Sequence, residues 1–217
     1  MNRVSSHLIV VAFVAVLSSV TAGAVEAAGT DTVGALAALS SANGQNFGRV
    51  HGRGFTSTTQ NVALAANGAV AAASSTGFGD TEFSSADKLI DDRRSGFDSY
   101  WTDDTVDEFP DAVQINFFGN KTIDRVVVYS VQEELNNFGG IDPTDTDNCF
   151  VYVLVDFTVE GWNGNSWVTL ATAADNDLCK RTVTFAPFST DQIRINVTAV
   201  GGWSLTRIAE VEAWEAQ

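Results

Sequence analysis

The sequence predicts an all-β domain, a sandwich or barrel of antiparallel strands. Three observations carry that prediction. Hydrophobic side chains from residue 61 onward recur with period two rather than 3.6. Turn residues such as Asn163-Gly164 punctuate them at short intervals. Only Ser84 to Ile90 reads as a short helical turn. The strands then follow in order. Val113, Ile115 and Phe117 alternate with Gln114 and Asn116, and Ile123 to Val131 is β-branched enough for a buried strand. Phe157, Val159 and Gly161 alternate with Thr158, Glu160 and Trp162, the Asn-Gly pair turns the chain, and Trp167 to Leu170 returns. Thr182 to Phe185, Ile193 to Val197 and Ala209 to Ala213 keep the same rhythm, and no internal repeat is present.

Around this domain the chain is organised simply. Met1-Asn2-Arg3, an apolar run from Leu8 to Leu17, and Ala22-Gly-Ala24 or Val25-Glu-Ala27 read as a secretory signal peptide over 1–27. The apolar run is short for a membrane anchor, so a cleaved, secreted and extracellular product is expected. Residues 28–60, rich in Gly, Ser, Thr, Ala and Asn, read as a flexible leader, and 61–217 as the folded domain.

The 217 residues are 45% hydrophobic and 18% charged, enough apolar side chains for a core. With 12 Lys and Arg against 27 Asp and Glu the formal charge is −15, which repels nucleic acid and disfavours anionic lipid. The two histidines, His7 and His51, lie outside the domain, so a His-based triad or metal site within it is excluded. The two cysteines, Cys149 and Cys179, predict a disulfide in an exported chain, the alternative being two buried thiols.

Several stretches in the same order resemble the discoidin domain, also called the coagulation factor 5/8 type C domain. They are Asn61-Val-Ala-Leu-Ala65, Lys88-Leu-Ile-Asp-Asp-Arg93, Pro110 to Phe117, Lys121 to Tyr129, Asp156 to Trp167, Lys180 to Phe185, Ile193 to Val197 and Arg207 to Trp214. The chain is most similar in flavour to carbohydrate-binding module family 32. That resemblance implies a galactose-binding-like jelly roll, a β-sandwich of about eight antiparallel strands.

The resemblance also implies sites. Eleven Asp or Glu between Asp80 and Asp111 suit a hard cation that needs six to eight oxygens. The family positions for a structural Ca²⁺ correspond to the carbonyls of Lys88, Arg93 and Ala209 and the side chains of Asp91 and Glu210, with Ser95 the nearest hydroxyl. Asp92 stands where a turn glycine is common. For a sugar, loop aromatics supply a face for the apolar side of a pyranose and polar groups meet its hydroxyls. By carry-over these are Trp203 and Phe138, with Glu133, Asn136, Asn137 and Arg207 as hydrogen-bonders. Trp162 and Trp167, flanking the turn, are expected to pack on each other instead. The galactose-binding relatives often use a His that this domain lacks.

No Gly-Xaa-Ser-Xaa-Gly elbow, phosphate loop or His/Cys metal set is present, and no catalytic residue is read. The expected function is a non-catalytic, lectin-like module that holds glycans. Cell-surface adhesion to a protein partner is the alternative, and phospholipid binding a lesser one. Asn120 and Asn196 open glycosylation sequons, of use only where a host modifies them.

Overall fold

The computed structural model describes residues 59–77, 84–132, 140–202 and 204–217. The signal segment and all but the last two residues of the leader lie outside the described residues, as do Glu133, Asn136, Asn137, Phe138 and Trp203.

Among the described residues seven strands form the domain: β1 (Val70–Ala73), β2 (Trp101–Thr102), β3 (Asp111–Ser130), β4 (Leu154–Trp162), β5 (Trp167–Ala173), β6 (Lys180–Val200) and β7 (Arg207–Glu215). Hydrogen bonding runs in the order β2-β7-β3-β6-β4-β5, with β1 on β3, and every pairing is antiparallel. The expected helical turn is a 3-10 helix over Ala86–Ile90.

Two strands are far longer than the alternation suggested. β3 joins the Val113 and Ile123 runs, and β6 joins the Thr182 and Ile193 runs. Both bend midway. The β3–β6 register breaks between Asn116 and Lys121, where Gly119 takes the left-handed φ of 76°, and again between Ile123 and Arg125. The second irregularity shifts which residues face the core. Val113, Ile115 and Phe117 point inward before the bend, and Val126 and Val128 after it.

The bend makes one hydrogen-bonded path into two layers. The first half of β3 pairs with β1 and the second half of β6, and β4 and β5 extend that layer. The second half of β3 pairs with β7 and the first half of β6, and β2 extends the other layer. Between them lie Trp101, Phe157, Ile193, Ile195, Ile208 and Val211, each almost or wholly inaccessible. Fully burying each aliphatic side chain contributes roughly 1.5–3 kcal/mol.

The hairpin at Asn163-Gly164 forms as expected. Gly164 has φ 93°, and Trp162 pairs with Trp167 across the strands with ring centroids 5.5 Å apart, edge to face. Arg194 caps the pair, its guanidinium 4.6 Å from the Trp167 ring and 2.5 Å from Glu160.

Because β3 and β6 both double back, their four ends meet at one pole. Leu154 N donates to Ser130 Oγ at 3.1 Å, Ser130 N to the Cys179 carbonyl at 2.8 Å and Gly201 N to the Val153 carbonyl at 2.8 Å. The described parts of the connections 84–100, 103–110, 131–153 and 201–206 start or end there. One close approach fixes their packing: a Cβ on Gly201 would lie 2.3 Å from the Phe150 carbonyl oxygen. Gly201→Ala is expected to displace the 150–153 segment and destabilise the fold by about 1–3 kcal/mol, measured by urea denaturation.

Candidate functional site

The acidic loop that follows the 3-10 helix reaches the last strand. Asp91 N donates to Glu210 Oε2 at 3.1 Å, and Asp91 in turn accepts at Oδ1 from Arg93 N (3.1 Å) and at Oδ2 from Ser99 Oγ (2.5 Å). Glu210 is 0% exposed, and its Oε1 has no hydrogen-bond partner among the described residues. Burial, with the charge of Asp91 second, pushes its carboxyl up to about 9. A buried carboxylate with a bare oxygen beside a second carboxylate is the environment a cation relieves. The residues therefore fit an oxygen-liganded ion. Among the described residues no group of three or more His, Cys, Asp or Glu could hold a metal, so such an ion would draw on carbonyls and hydroxyls too.

The remaining expected ligands lie on or next to the same two elements, the 3-10 helix with its following loop and β7. Lys88 lies in the last turn of the 3-10 helix, its ammonium 3.6 Å from Asp87. Ala209 precedes Glu210 on β7 and is fully buried. Ser95 Oγ accepts from Phe97 N at 3.4 Å, whereas the hydroxyl that reaches Asp91 belongs to Ser99, which sequence reasoning missed. Asp92 adopts φ 69°, the left-handed conformation that makes glycine common there; Asp tolerates it better than most residues. Arg94 lies across the site, bonded to Glu212 Oε1 (2.6 Å), Asp92 Oδ1 (2.5 Å) and Asp142 Oδ2 (3.4 Å).

The predicted disulfide is present. Cys149 and Cys179 are joined, with their Cα atoms 5.0 Å apart and a sequence separation of 30. Cys149 N donates to the Asp177 carbonyl (2.9 Å) and Cys179 N to the Asp147 carbonyl (2.8 Å), so the 140–153 connection is fastened to the start of β6. A cavity of about 310 Å³ opens beside the bridge, lined by Gln132, Ile141, Asp142, Asp147 and Asn148.

Arg207, expected among the sugar contacts, opens β7 between two tyrosines. Its guanidinium is 5.8 Å from the Tyr100 ring and 4.4 Å from the Tyr152 ring. Close by in the chain, Phe150 is 66% exposed, and its backbone carbonyl is the one that abuts Gly201 in the 201–206 loop. The pole thus carries Tyr100, Phe150, Tyr152 and Arg207 with polar groups around them. The other five expected sugar-contact residues lie outside the described residues.

No protein-family model matches the sequence, and no curated protein matches it. Solved structures match it by shape. A module of Clostridium perfringens, CpGH89CBM32-5, solved with GalNAc-beta-1,3-galactose, has 12% identity and a TM-score of 0.53 over 71% of this chain and 99% of its own. The family 32 module of C. perfringens NanJ, solved with galactose, has 17% identity and a TM-score of 0.52 over 73% of this chain and 100% of its own. That of Streptococcus pneumoniae EndoD has 16% identity and a TM-score of 0.54 over 72% and 100%. The fold is that of the family 32 carbohydrate-binding modules. The resemblance read from the sequence holds at the level of architecture. The tyrosine pair around Arg207 carried no signal in the sequence beyond two aromatics in aperiodic loops.

Proposed function

We propose that the chain is a secreted glycan-binding module that performs no chemistry of its own. The observation that carries this reading is the loop pole, where Arg207 lies between Tyr100 and Tyr152 with Phe150 exposed nearby. Planar rings offer a face to the C–H side of a pyranose, and a guanidinium fixed by its neighbours donates to ring or substituent oxygens at little further entropic cost. Trp203, in the loop that Gly201 and Gly202 begin, and Phe138 are further stacking residues in this reading, with Glu133, Asn136 and Asn137 completing the polar contacts.

A structural Ca²⁺ belongs to the same proposal. Asp91 and Glu210 would hold it, with carbonyls of Lys88, Arg93 and Ala209 and the hydroxyls of Ser95 or Ser99. The ion supplies positive charge that balances two close carboxylates, and so fixes the 91–99 loop against β7. The resting place of the sugar is then set by the protein's own loops.

Shallow sites of this kind bind weakly one at a time, and firm attachment comes from several acting together. A glycan array probed with the chain from residue 28 onward is the direct test. Selective signals are expected, lost in Trp203→Ala and reduced at least tenfold in Arg207→Ala. A blank array from a folded protein would overturn the glycan reading and favour a surface-protein partner.

A further inference from the structure

A second acidic site lies apart from Asp91 and Glu210. The segment from Asp103 to Asp111 contains five acids, Asp103, Asp104, Asp107, Glu108 and Asp111, and no Lys or Arg. Two of them are inside the protein: Asp103 is 0% exposed and Asp111 3%. Asp111 occupies the inward parity of β3, in line with Val113, Ile115 and Phe117, so the strand's first core position carries a carboxylate.

The two carboxylates converge. Thr105 Oγ1 lies 3.0 Å from Asp103 Oδ2 and 3.5 Å from Asp111 Oδ1, and its one proton can serve only one of them. Thr105 N also donates to Asp103 Oδ2 (2.8 Å), and Thr206 Oγ1 donates to Asp111 Oδ2 (2.5 Å). Asp103 Oδ1 is buried with no partner among the described residues, and no basic side chain among them forms an ion pair with either acid. Buried charges of one sign persist only where something of the other sign answers them.

We propose that Asp103 and Asp111, with the hydroxyls of Thr105 and Thr206 beside them, form a second cation site that takes a hard divalent ion of the Ca²⁺ class. A proton shared between the carboxyls would cancel one charge and leave the other buried. A divalent ion answers both, and Asp104, Asp107 and Glu108 add an attracting field. Burial raises the Asp111 carboxyl above the ordinary range, the Thr206 hydroxyl opposes this, and the charge of Asp103 adds to it.

The site joins two loops. Asp103 N donates to the Thr206 carbonyl (3.1 Å) and Asp107 N to the Ser204 carbonyl (3.0 Å), so an ion here clamps the 103–111 segment to the β6–β7 connection that includes Trp203. It would do so through ligands other than Asp91 and Glu210.

Equilibrium dialysis of the chelator-stripped full-length protein against radioactive Ca²⁺ tests this. The wild type is expected to bind two ions per chain. Asp103→Asn keeps the side chain's size and its acceptor for Thr105, and is expected to bind one. Glu210→Gln is also expected to bind one, through the pair described here. A single ion in the wild type that Glu210→Gln abolishes would overturn the proposal, as would an undiminished count in Asp103→Asn; no binding at all would overturn it as well. Loss of an ion in Asp103→Asn but none in Glu210→Gln would uphold this site while removing the one at Glu210. Should Asp103→Asn fail to fold, Asp111→Asn and the residual ion in Glu210→Gln decide the matter.

Discussion

Serine in place of both Cys149 and Cys179 is expected to lower the melting temperature by roughly 6–16 °C. The bridge closes a loop of 30 residues, and the entropy this removes from the unfolded chain corresponds to roughly 3–4 kcal/mol. For a domain of this size each kcal/mol moves the midpoint by about 2–4 °C. The loss falls unevenly. Ser130 N bonds to the Cys179 carbonyl and Cys179 N to the Asp147 carbonyl, so amides over 140–153 and at the end of β3 should lose protection from hydrogen exchange first. Thiol titration of the denatured wild type before and after reduction provides the control, with no reactive thiol expected before. Unchanged stability in the double serine variant would show that the 140–153 connection holds itself in place.

Chelation is expected to have the second largest effect. If Ca²⁺ is supplied at a hundredfold excess over its dissociation constant, linkage gives about 2.7 kcal/mol, and its removal should lower the melting temperature by roughly 5–10 °C. Far-UV circular dichroism below the transition should hardly change. Asp91 and Glu210 link a loop to β7, whereas Phe157, Ile193 and Ile195 between the layers lie on β4 and β6, strands that carry none of the named ligands. In Glu210→Gln the difference between calcium and chelator should shrink to what Asp103 and Asp111 supply. A melting curve indifferent to chelator in the wild type would count against every calcium ligand named above.

How much of this was legible follows from what each feature depends on. The period-two runs of Val113 to Phe117, Phe157 to Trp162 and Ile193 to Val197 report a half-buried sheet directly, because alternation is itself the imprint of the pleat. The Asn163-Gly164 hairpin and its Trp162–Trp167 pair were readable for the same reason. The continuity of β3 and β6 was not, since the residues at the bend, Phe118 to Asn120, break the pattern without breaking the strand. Sites depend on loops, and loops have no period. Arg207 could be named through family likeness, yet Tyr100 and Tyr152 come from connections more than fifty residues apart in sequence. Ser99, rather than Ser95, meets Asp91 because the loop's path decides which hydroxyl arrives, and spacing alone does not encode that path. Asp111 was in plain view as a carboxylate in a hydrophobic register, a local inconsistency of the kind that marks sites under functional constraint.

The two bent strands also bear on how the chain acquires its shape. Within the β3–β6 ladder, Tyr129 opposite Lys180 encloses a much shorter stretch of chain than Asp111 opposite Val197. Loop closure costs less for the shorter stretch, so pairing is expected to start at the Tyr129 end and zip through the bend toward Asp111. The far end, with the buried acids and the connection to β7, is then the last to close. Such non-local pairing sets assembly on the millisecond-to-second scale, during which the apolar runs of β3 and β6 are exposed to other chains. That interval makes the speed of zipping, as much as final stability, a determinant of yield.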